Sequence, residues 1–464
     1  MSIPEMSVDR LALAVQLPGL ARPDLDPELA GLLADGLGGV CLFGAAAGGG
    51  LTAVRRLVDE IHAAGPGAVV ATDEEGGDVT RLHADAGSPV LGPAALGAAD
   101  DPALTEATGR AVGSDLATAG IDLTLAPVAD LNTDPGNPVI GVRSFGADPA
   151  RAGEHVAAWV RGVQAAGVAA CAKHFPGHGD TSVDSHLTLP VVDADLQTLE
   201  RRELVPFAAA VRAGAAAVMT SHLLLPRLDP DHPATMSSTV LDLIRQRLGH
   251  DGAIVTDALD MAGASGGRGI PETAVLALAA GADLLCLGSD SSPDLVRRVQ
   301  AAVVTAVADG RLSRARLAEA HRRASCLRRS TPARTTVDLD AAAQLAGARA
   351  ALTVEGDLPD LADAVVTRID ATPNIAVGAV PWGLPLSASL PTAAPVVVQV
   401  RDAHRHPRVL ERLSDLAAAG PVVVIEYGWP APLDLDLPRI CTRGASRPST
   451  AAAAEVLVAA GWSA

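Results

Sequence analysis

The sequence predicts an α/β protein, a (β/α)8 TIM-like barrel followed by a smaller α/β domain. Short apolar runs, each long enough for one buried strand, alternate with alanine-rich stretches of helical length over about the first 330 residues. Strands that alternate with helices form a parallel sheet, and eight such units favour a closed barrel. Several runs also end in polar residues, as expected where strand ends meet at a barrel mouth.

Taken in order, the predicted strands are residues 11–15, 39–43, 68–72, 121–127, 168–172, 216–220, 253–256 and 283–287. Polar residues follow several of them, and we expect these at the barrel mouth: Asp73, Glu74, Glu75, Asp130, Lys173, His174, Ser221, His222 and Asp257.

The predicted domains are a catalytic barrel over 1–330, a connector over 331–350 and a small α/β domain over 351–464. A polar stretch with Pro332 follows the last barrel helix, which is predicted to end near Arg329. In the second domain we predict strands over 374–380, 395–400 and 421–425, and helices over 409–418 and 451–459.

Composition excludes several classes of function. The formal net charge of −18 argues against nucleic acid and anionic membrane surfaces as partners. Five scattered cysteines without C-x-x-C spacing predict neither a disulfide framework nor a zinc site, and three of them are expected in the core: Cys41, Cys171 and Cys286. With no basic leader and no apolar run of about 18 residues, we expect a cytoplasmic protein.

The segment 173–186 combines an ammonium, three imidazoles and two carboxylates within one predicted loop. Lys173 is the only lysine among 36 basic residues, which indicates that this position needs a compact ammonium group. The alternative is that one lysine survived by chance and that the histidines lie on a solvated loop. The location directly after a buried strand favours a functional role.

Three further stretches carry candidate residues. Asp257, at the end of a predicted strand, is either a nucleophile or the N-cap of the next helix. The turn over 73–81 places carboxylates and Arg81 around two glycines, a set that can bind sugar hydroxyls or form a solvated acidic loop. The turn over 137–146 adds Arg143.

Together these motifs resemble glycoside hydrolase family 3, and within it the β-N-acetylglucosaminidases of the cell-wall (peptidoglycan) recycling type. The resemblance covers about the first 330 residues. Its motifs, in order, are D-x-E-G-G-x-V-x-R at 73–81, N-P-x-I-G-x-R-S-F at 137–145, K-H-F-P-G-H-G at 173–179 with D-S-H at 184–186, M-T-S-H at 219–222 and T-D-x-L-x-M at 256–261.

The resemblance implies a role for each matching residue. Asp257 would be the catalytic nucleophile, and His186, oriented by Asp184, the general acid/base. The residues implied to bind the sugar next to the scissile bond are Asp73, Arg81, Arg143, Lys173 and His174. The family uses no metal or organic cofactor. Ala258 and Glu74 depart from residues frequent in the recycling enzymes, and the second domain is short for the family, so we expect a reduced version of it.

The predicted reaction is exo-hydrolysis of terminal β-linked N-acetylglucosamine from short, soluble muropeptide- or chitin-derived sugars, through a covalent glycosyl-aspartate. Histidine suits the proton-transfer role because it titrates near neutral pH. Two alternatives stay open: a phosphorylase, since a neutral histidine base does not repel phosphate, and a catalytically silent sugar-binding protein. A family 3 β-glucosidase is disfavoured because the dyad replaces a second-domain glutamate. A monomer or homodimer is expected.

Overall fold

The computed structural model describes residues 6–181, 185, 188–329, 335–371, 374–378, 380–388 and 394–463. The helices are α1 Val8–Ala14, α2 Pro27–Ala34, α3 Leu51–Ala64, α4 Pro93–Ala99, α5 Pro102–Ala119, α6 Pro149–Ala165, α7 Leu196–Arg201, α8 Leu204–Arg212, α9 Ser238–Asp242, α10 Ala262–Ser265, α11 Ile270–Ala280, α12 Pro293–Ala308, α13 Arg314–Arg329, α14 Ala341–Ala351, α15 Pro407–Ala419 and α16 Arg447–Ala459. The strands are β1 Gln16–Leu17, β2 Gly19–Leu20, β3 Gly39–Leu42, β4 Val69–Thr72, β5 Leu123–Thr124, β6 Ala169–Phe175, β7 Ala217–Thr220, β8 Ala253–Val255, β9 Leu285–Cys286, β10 Thr353–Glu355, β11 Val365–Arg368, β12 Val396–Val400, β13 Val422–Glu426 and β14 Arg439–Cys441.

The first part of the chain forms a parallel barrel. Strands β2 to β8 pair in chain order, and β9 pairs with β1. A bridge between Val255 and Leu284 joins β8 to the β9 segment, and the amide of Leu285 donates to the carbonyl of Val15 at 2.9 Å. Because β1 and β2 are adjacent parts of one strand, these contacts close the ring, and the predicted α/β barrel fold is confirmed.

Strand side chains alternate between the inside of the barrel and the layer beneath the helices, as the two-residue period requires. In β3, Cys41 belongs to the inner cluster, whereas Val40 and Leu42 pack in the outer layer with the helices. The predicted core positions of Cys41, Cys171 and Cys286 are confirmed, since all three are buried. A filled interior leaves the chemistry to the mouth of the barrel.

The second part of the chain is a sheet with the order β10-β14-β13-β12-β11. Its strands β11 to β14 run parallel, and β10 pairs antiparallel with β14. The predicted strands at 395–400 and 421–425 and both predicted helices are present as β12, β13, α15 and α16. The connector predicted over 331–350 overlaps α14, where the side chain of Gln344 accepts a hydrogen bond from Leu91 of the barrel at 2.8 Å.

Two predicted strands were wrong. Residues 11–15 lie mostly in helix α1, which Ser7 caps through a bond to the Arg10 amide, and the strand begins at Gln16. All five side chains of that run are buried, and a short, fully buried apolar run fits a helix as well as a strand. The described residues of 374–380 form a turn, and the neighbouring strand is β11.

No helix in the described ranges combines the length and apolar character that a membrane span requires.

Candidate active site

A cleft of about 1040 Å³ opens at the carboxyl ends of the barrel strands. Barrel residues that line it include Asp73, Glu75, Arg81, Arg143, Lys173, His174, His178, Ser185, Asp257 and Asp260. The second part of the chain contributes residues 375–378 and Val380 to the same cleft. The described walls of the cleft therefore come from both parts of the chain.

A cluster of four charged residues lines part of the cleft and is called here the ion cluster: Asp73, Glu75, Arg143 and Lys173. The ammonium of Lys173 lies 2.6 Å from Asp73 Oδ1 and 2.8 Å from Glu75 Oε1. Arg143 donates two parallel hydrogen bonds to Glu75, from Nε to Oε2 at 2.9 Å and from Nη2 to Oε1 at 2.7 Å. Lys173, Glu75 and Arg143 are buried, so the cluster compensates charges that would otherwise be costly to bury.

The cluster keeps its members ionised. Burial alone would raise the pKa of Glu75, but the charges of Arg143 and Lys173 outweigh it, and the pKa falls well below its usual range. Burial likewise opposes the charge of Lys173, yet Asp73 and Glu75 raise the pKa of its ammonium. Glu74 is also buried and accepts from the amides of Arg81 and Leu82. The turn over residues 73–81 is therefore held in place by burial and hydrogen bonds, and it is not a solvated acidic loop.

A second network surrounds Asp130, a buried residue that follows β5 in the chain. Its Oδ2 lies 2.7 Å from His174 Nδ1, and its Oδ1 accepts from the amides of His174 and His178. Burial raises the pKa of Asp130, but His174 more than compensates and the pKa is lowered. This contact fixes the His174 ring, so that its other nitrogen is directed away from Asp130.

His178 connects this network to Ser185. Its Nε2 lies 2.9 Å from Ser185 Oγ, and its buried Nδ1 has no hydrogen-bond partner among the described residues. A bare nitrogen is cheaper to leave unpaired than a buried N–H, so the neutral tautomer carries its proton on Nε2 and donates to Ser185. Burial lowers the pKa of His178 to about 4, which agrees with this assignment.

Asp257 follows β8 and lines the cleft as a half-buried side chain. Its Oδ1 accepts from the amide of Ala258 at 2.8 Å. The next helix, α10, has Met261 as its N-cap, so Asp257 is not a helix cap. His222 supports the same turn, because its Nε2 lies 3.0 Å from the carbonyl oxygen of Ala258.

The second part of the chain contacts two of the turns that carry arginines. Arg81 donates from Nη2 to the carbonyl oxygen of Ala376 at 2.8 Å. Asn374 donates from Nδ2 to the carbonyl oxygen of Val139, which also accepts from Arg143 Nη1, each at 2.9 Å. These bonds place the segment 374–378 along the edge of the cleft.

The structure brings the predicted residues Asp73, Arg81, Arg143, Lys173, His174 and Asp257 around one cleft. Asp184 and His186, the predicted dyad, lie outside the described residues. The sequence did not assign roles to three residues that complete the networks, Glu75, Asp130 and His178. Glu75 and Asp130 stand at predicted strand ends, and that position was the available signal.

Comparison with known proteins supplies a family. The sequence profile described as Glycosyl hydrolase family 3 N terminal domain matches residues 26–327. Beta-hexosaminidase A of Pseudoalteromonas piscicida is 40% identical over 212 residues, which cover 42% of this chain and 36% of that protein, so the chain spans little more than a third of that relative. Beta-hexosaminidase of Chromobacterium violaceum is 38% identical over 288 residues, covering 60% of this chain and 79% of that protein.

Among solved structures, a glycoside hydrolase family 3 beta-N-acetylglucosaminidase from Paenibacillus sp. str. FPU-7 matches with a TM-score of 0.86 and 29% identity. The match covers 98% of this chain and 97% of that one. It therefore extends through both the barrel and the second sheet.

Proposed function

This chain belongs to glycosyl hydrolase family 3, and we propose that it is a retaining exo-β-N-acetylglucosaminidase acting on short muropeptide- or chitin-derived sugars. The observation that carries the proposal is the position of Asp257 in a cleft shared with Asp73, Lys173 and His174. The names of the similar proteins, β-hexosaminidase and β-N-acetylglucosaminidase, support the same substrate class.

In the proposed first step, a carboxylate oxygen of Asp257 attacks the anomeric carbon as the glycosidic C–O bond breaks. Protonated His186 donates its proton to the leaving oxygen, and Asp184 stabilises the imidazolium. In the second step the neutral imidazole accepts a proton from water, which attacks the anomeric carbon and releases Asp257. Two inversions give N-acetylglucosamine with the original β configuration.

The ion cluster supports the sugar-binding role of Lys173 and Asp73. The two side chains hold each other in one geometry. Glu75 contacts the Lys173 ammonium as well, and Arg143 fixes Glu75 through two hydrogen bonds. Asp73 is the more exposed member, at 16% of its side chain, and so faces incoming hydroxyl groups. Charged hydrogen bonds that are preorganised in this way bind a substrate without a reorganisation cost.

The same geometry gives His174 an orienting role toward the sugar. Because Nδ1 is engaged by Asp130, Nε2 is the nitrogen available to a hydroxyl group in the cleft. Arg81, which is partly exposed and bonded to Ala376, contributes further donors to the cleft next to the segment 374–378.

The proposal is tested by assaying 4-nitrophenyl β-N-acetylglucosaminide and β-glucoside, with and without phosphate, and identifying the sugar released. We expect free N-acetylglucosamine at a rate independent of phosphate and little release from the glucoside. Sugar 1-phosphate with a phosphate-dependent rate would instead establish a phosphorylase. Absence of turnover with retained sugar binding would establish a silent binder.

Asp257→Asn and Asp260→Asn form a matched pair for this assay, because both carboxylates line the cleft. We expect Asp257→Asn to abolish turnover and Asp260→Asn to retain most of it. The reverse result would move the nucleophile to Asp260.

A further inference from the structure

A second, smaller cavity of about 280 Å³ lies between the barrel and the second sheet. Its barrel side includes Asp78 and residues of the turn 137–142, and its other side includes Asp370, Trp382, Arg401, Asp402, Arg405 and His406. Asp370 is paired with Arg368, whose Nε lies 3.3 Å from Asp370 Oδ1. It shares Ile140, Val377, Gly378 and Val380 with the large cleft, so these residues lie between the two cavities. None of the proposed catalytic residues lines it.

Two guanidinium groups in this cavity have unused donors. Neither guanidinium group donates a hydrogen bond to any described residue, although the side chains of Arg401 and Arg405 are only 18% and 21% exposed. The Nε atom of Arg401 is fully buried. A guanidinium has five N–H donors, and those that are not buried remain accessible from the cavity.

Nearby carboxylates balance the charge of these arginines without accepting their hydrogen bonds. Asp78 Oδ2 is 3.5 Å from Arg401 Nη2, and Asp402 Oδ2 is 3.9 Å from Arg405 Nη1. The other oxygen of Asp78 accepts from the amide of Ala445, and that of Asp402 accepts from the amide of Trp429. Both acids are thus already bound to backbone N–H groups.

The geometry of the surrounding chain favours an anion. Helix α15 begins here, with His406 as an N-cap that provides no side-chain hydrogen bond to the first turn. The positive end of a helix attracts negative charge. Arg401 also stacks over the ring of Trp382, with 4.4 Å from Cζ to the ring centre, which fixes the plane of the guanidinium.

From these contacts we infer that the interdomain cavity binds the phosphate group of a small ligand through Arg401, Arg405 and the start of α15. Because nearby carboxylates already balance the charges of the two guanidiniums, the match to phosphate is one of hydrogen bonding: phosphate oxygens accept paired hydrogen bonds from each fork. The volume of about 280 Å³ corresponds to roughly nine water molecules, so the cavity has room for an organic body the size of a hexose beside the phosphate. This inference is independent of the proposed glycosidase activity.

Because the cavity lies between the two parts of the chain, its ligand would stabilise their association. A ligand that binds only the folded protein raises its melting temperature.

The test is the melting temperature of the full chain with inorganic phosphate or with glucose 6-phosphate, at constant ionic strength. We expect both probes to raise the melting temperature. Tighter binding of glucose 6-phosphate would identify a phosphorylated organic compound as the ligand, and equal binding would identify free phosphate.

Arg401→Gln and Arg405→Gln should each weaken the apparent affinity at least about tenfold, because a charged hydrogen-bonding partner is lost. Arg412→Gln, which removes an exposed arginine from the same helix, should leave the affinity unchanged. The quantity compared is the ligand-dependent rise, so a lower starting stability of a variant does not affect the result. No rise in the wild type, or an undiminished rise in both cavity variants, would overturn the inference.

Discussion

Arg81 of the barrel donates a hydrogen bond to the main-chain carbonyl of Ala376, which lies 295 residues further along the chain, at 2.8 Å. A second bond, from Asn374 to Val139, attaches the same segment to the turn that carries Arg143. The second sheet is therefore joined to the barrel at two of the turns expected to bind the sugar. Its segment 374–378 forms part of the wall of the cleft.

Removal of the Asn374 side chain should weaken this attachment. In Asn374→Ala the segment loses its bond to Val139, a neutral hydrogen bond worth about 0.5–1.5 kcal/mol. We expect the KM for 4-nitrophenyl β-N-acetylglucosaminide to rise about two- to tenfold with little change in kcat, because the wall moves but the nucleophile does not.

The matched control is His404→Ala. His404 Nε2 lies 2.9 Å from the carbonyl oxygen of Pro135, another contact between the second sheet and the barrel, and neither residue lines the large cleft. An equal rise in KM in both variants would show that the effect comes from general loosening of the interface.

Replacement of Lys173, the only lysine, by arginine should lower both stability and activity. Lys173 fits between Asp73 and Glu75 with contacts of 2.6 and 2.8 Å and is 3% exposed. A guanidinium is larger and planar, so Lys173→Arg should cost about 1–3 kcal/mol of stability and lower kcat/KM about a hundredfold. Thermal unfolding and steady-state kinetics measure the two effects.

The control is Arg212→Lys, the reverse replacement at an exposed residue of α8. It should change neither the stability nor kcat/KM. Full activity of Lys173→Arg would show that position 173 requires only a positive charge.

Protonation of His178 should destabilise the fold in acid. The folded pKa is about 4 and the ordinary value is 6.5, so between these pH values the unfolded chain binds more protons than the folded protein. The stability contributed by neutral His178 is complete above about pH 6.5 and is lost as the pH falls toward 4, by up to about 1.4 kcal/mol per pH unit.

Denaturant unfolding of the wild type and His178→Gln at several pH values isolates this group. We expect the wild type to lose stability relative to the variant as the pH is lowered from 6.5 to 4.5. If the difference in stability between the wild type and His178→Gln stays constant over this range, the pKa of His178 is not lowered in the folded protein.

Replacement of the proposed general acid should affect substrates according to their leaving groups. His186→Ala should slow natural saccharides far more than activated aryl glycosides, because an activated phenolate departs without protonation. Rates for a series of aryl glycosides of increasing phenol pKa measure this dependence. Equal losses across the series would exclude His186 as the acid.

The barrel was predictable because many of its strands are short apolar runs with polar ends, as in β4, which is followed by Asp73. Helix α1 was not predicted, because Leu11 to Ala14 are all buried and a fully apolar run shows no helical periodicity of hydrophobic residues. Within the site, spacing identified Lys173 and Asp73 individually. Their contact, and the bond between Arg81 and Ala376, depend on packing between segments far apart in sequence, which local patterns do not encode.

The central claim is that Asp257 forms a covalent bond to the sugar. An activated 5-fluoro-N-acetylglucosaminyl fluoride slows the second step more than the first, so a glycosyl-enzyme accumulates. Mass spectrometry of the intact protein and of its proteolytic peptides then locates the adduct. The anomeric fluoride departs and the fluorine at C5 is retained, so we predict one 5-fluoro-N-acetylglucosaminyl adduct on Asp257; an adduct on another residue, or turnover of this compound without any accumulated adduct, would contradict the account.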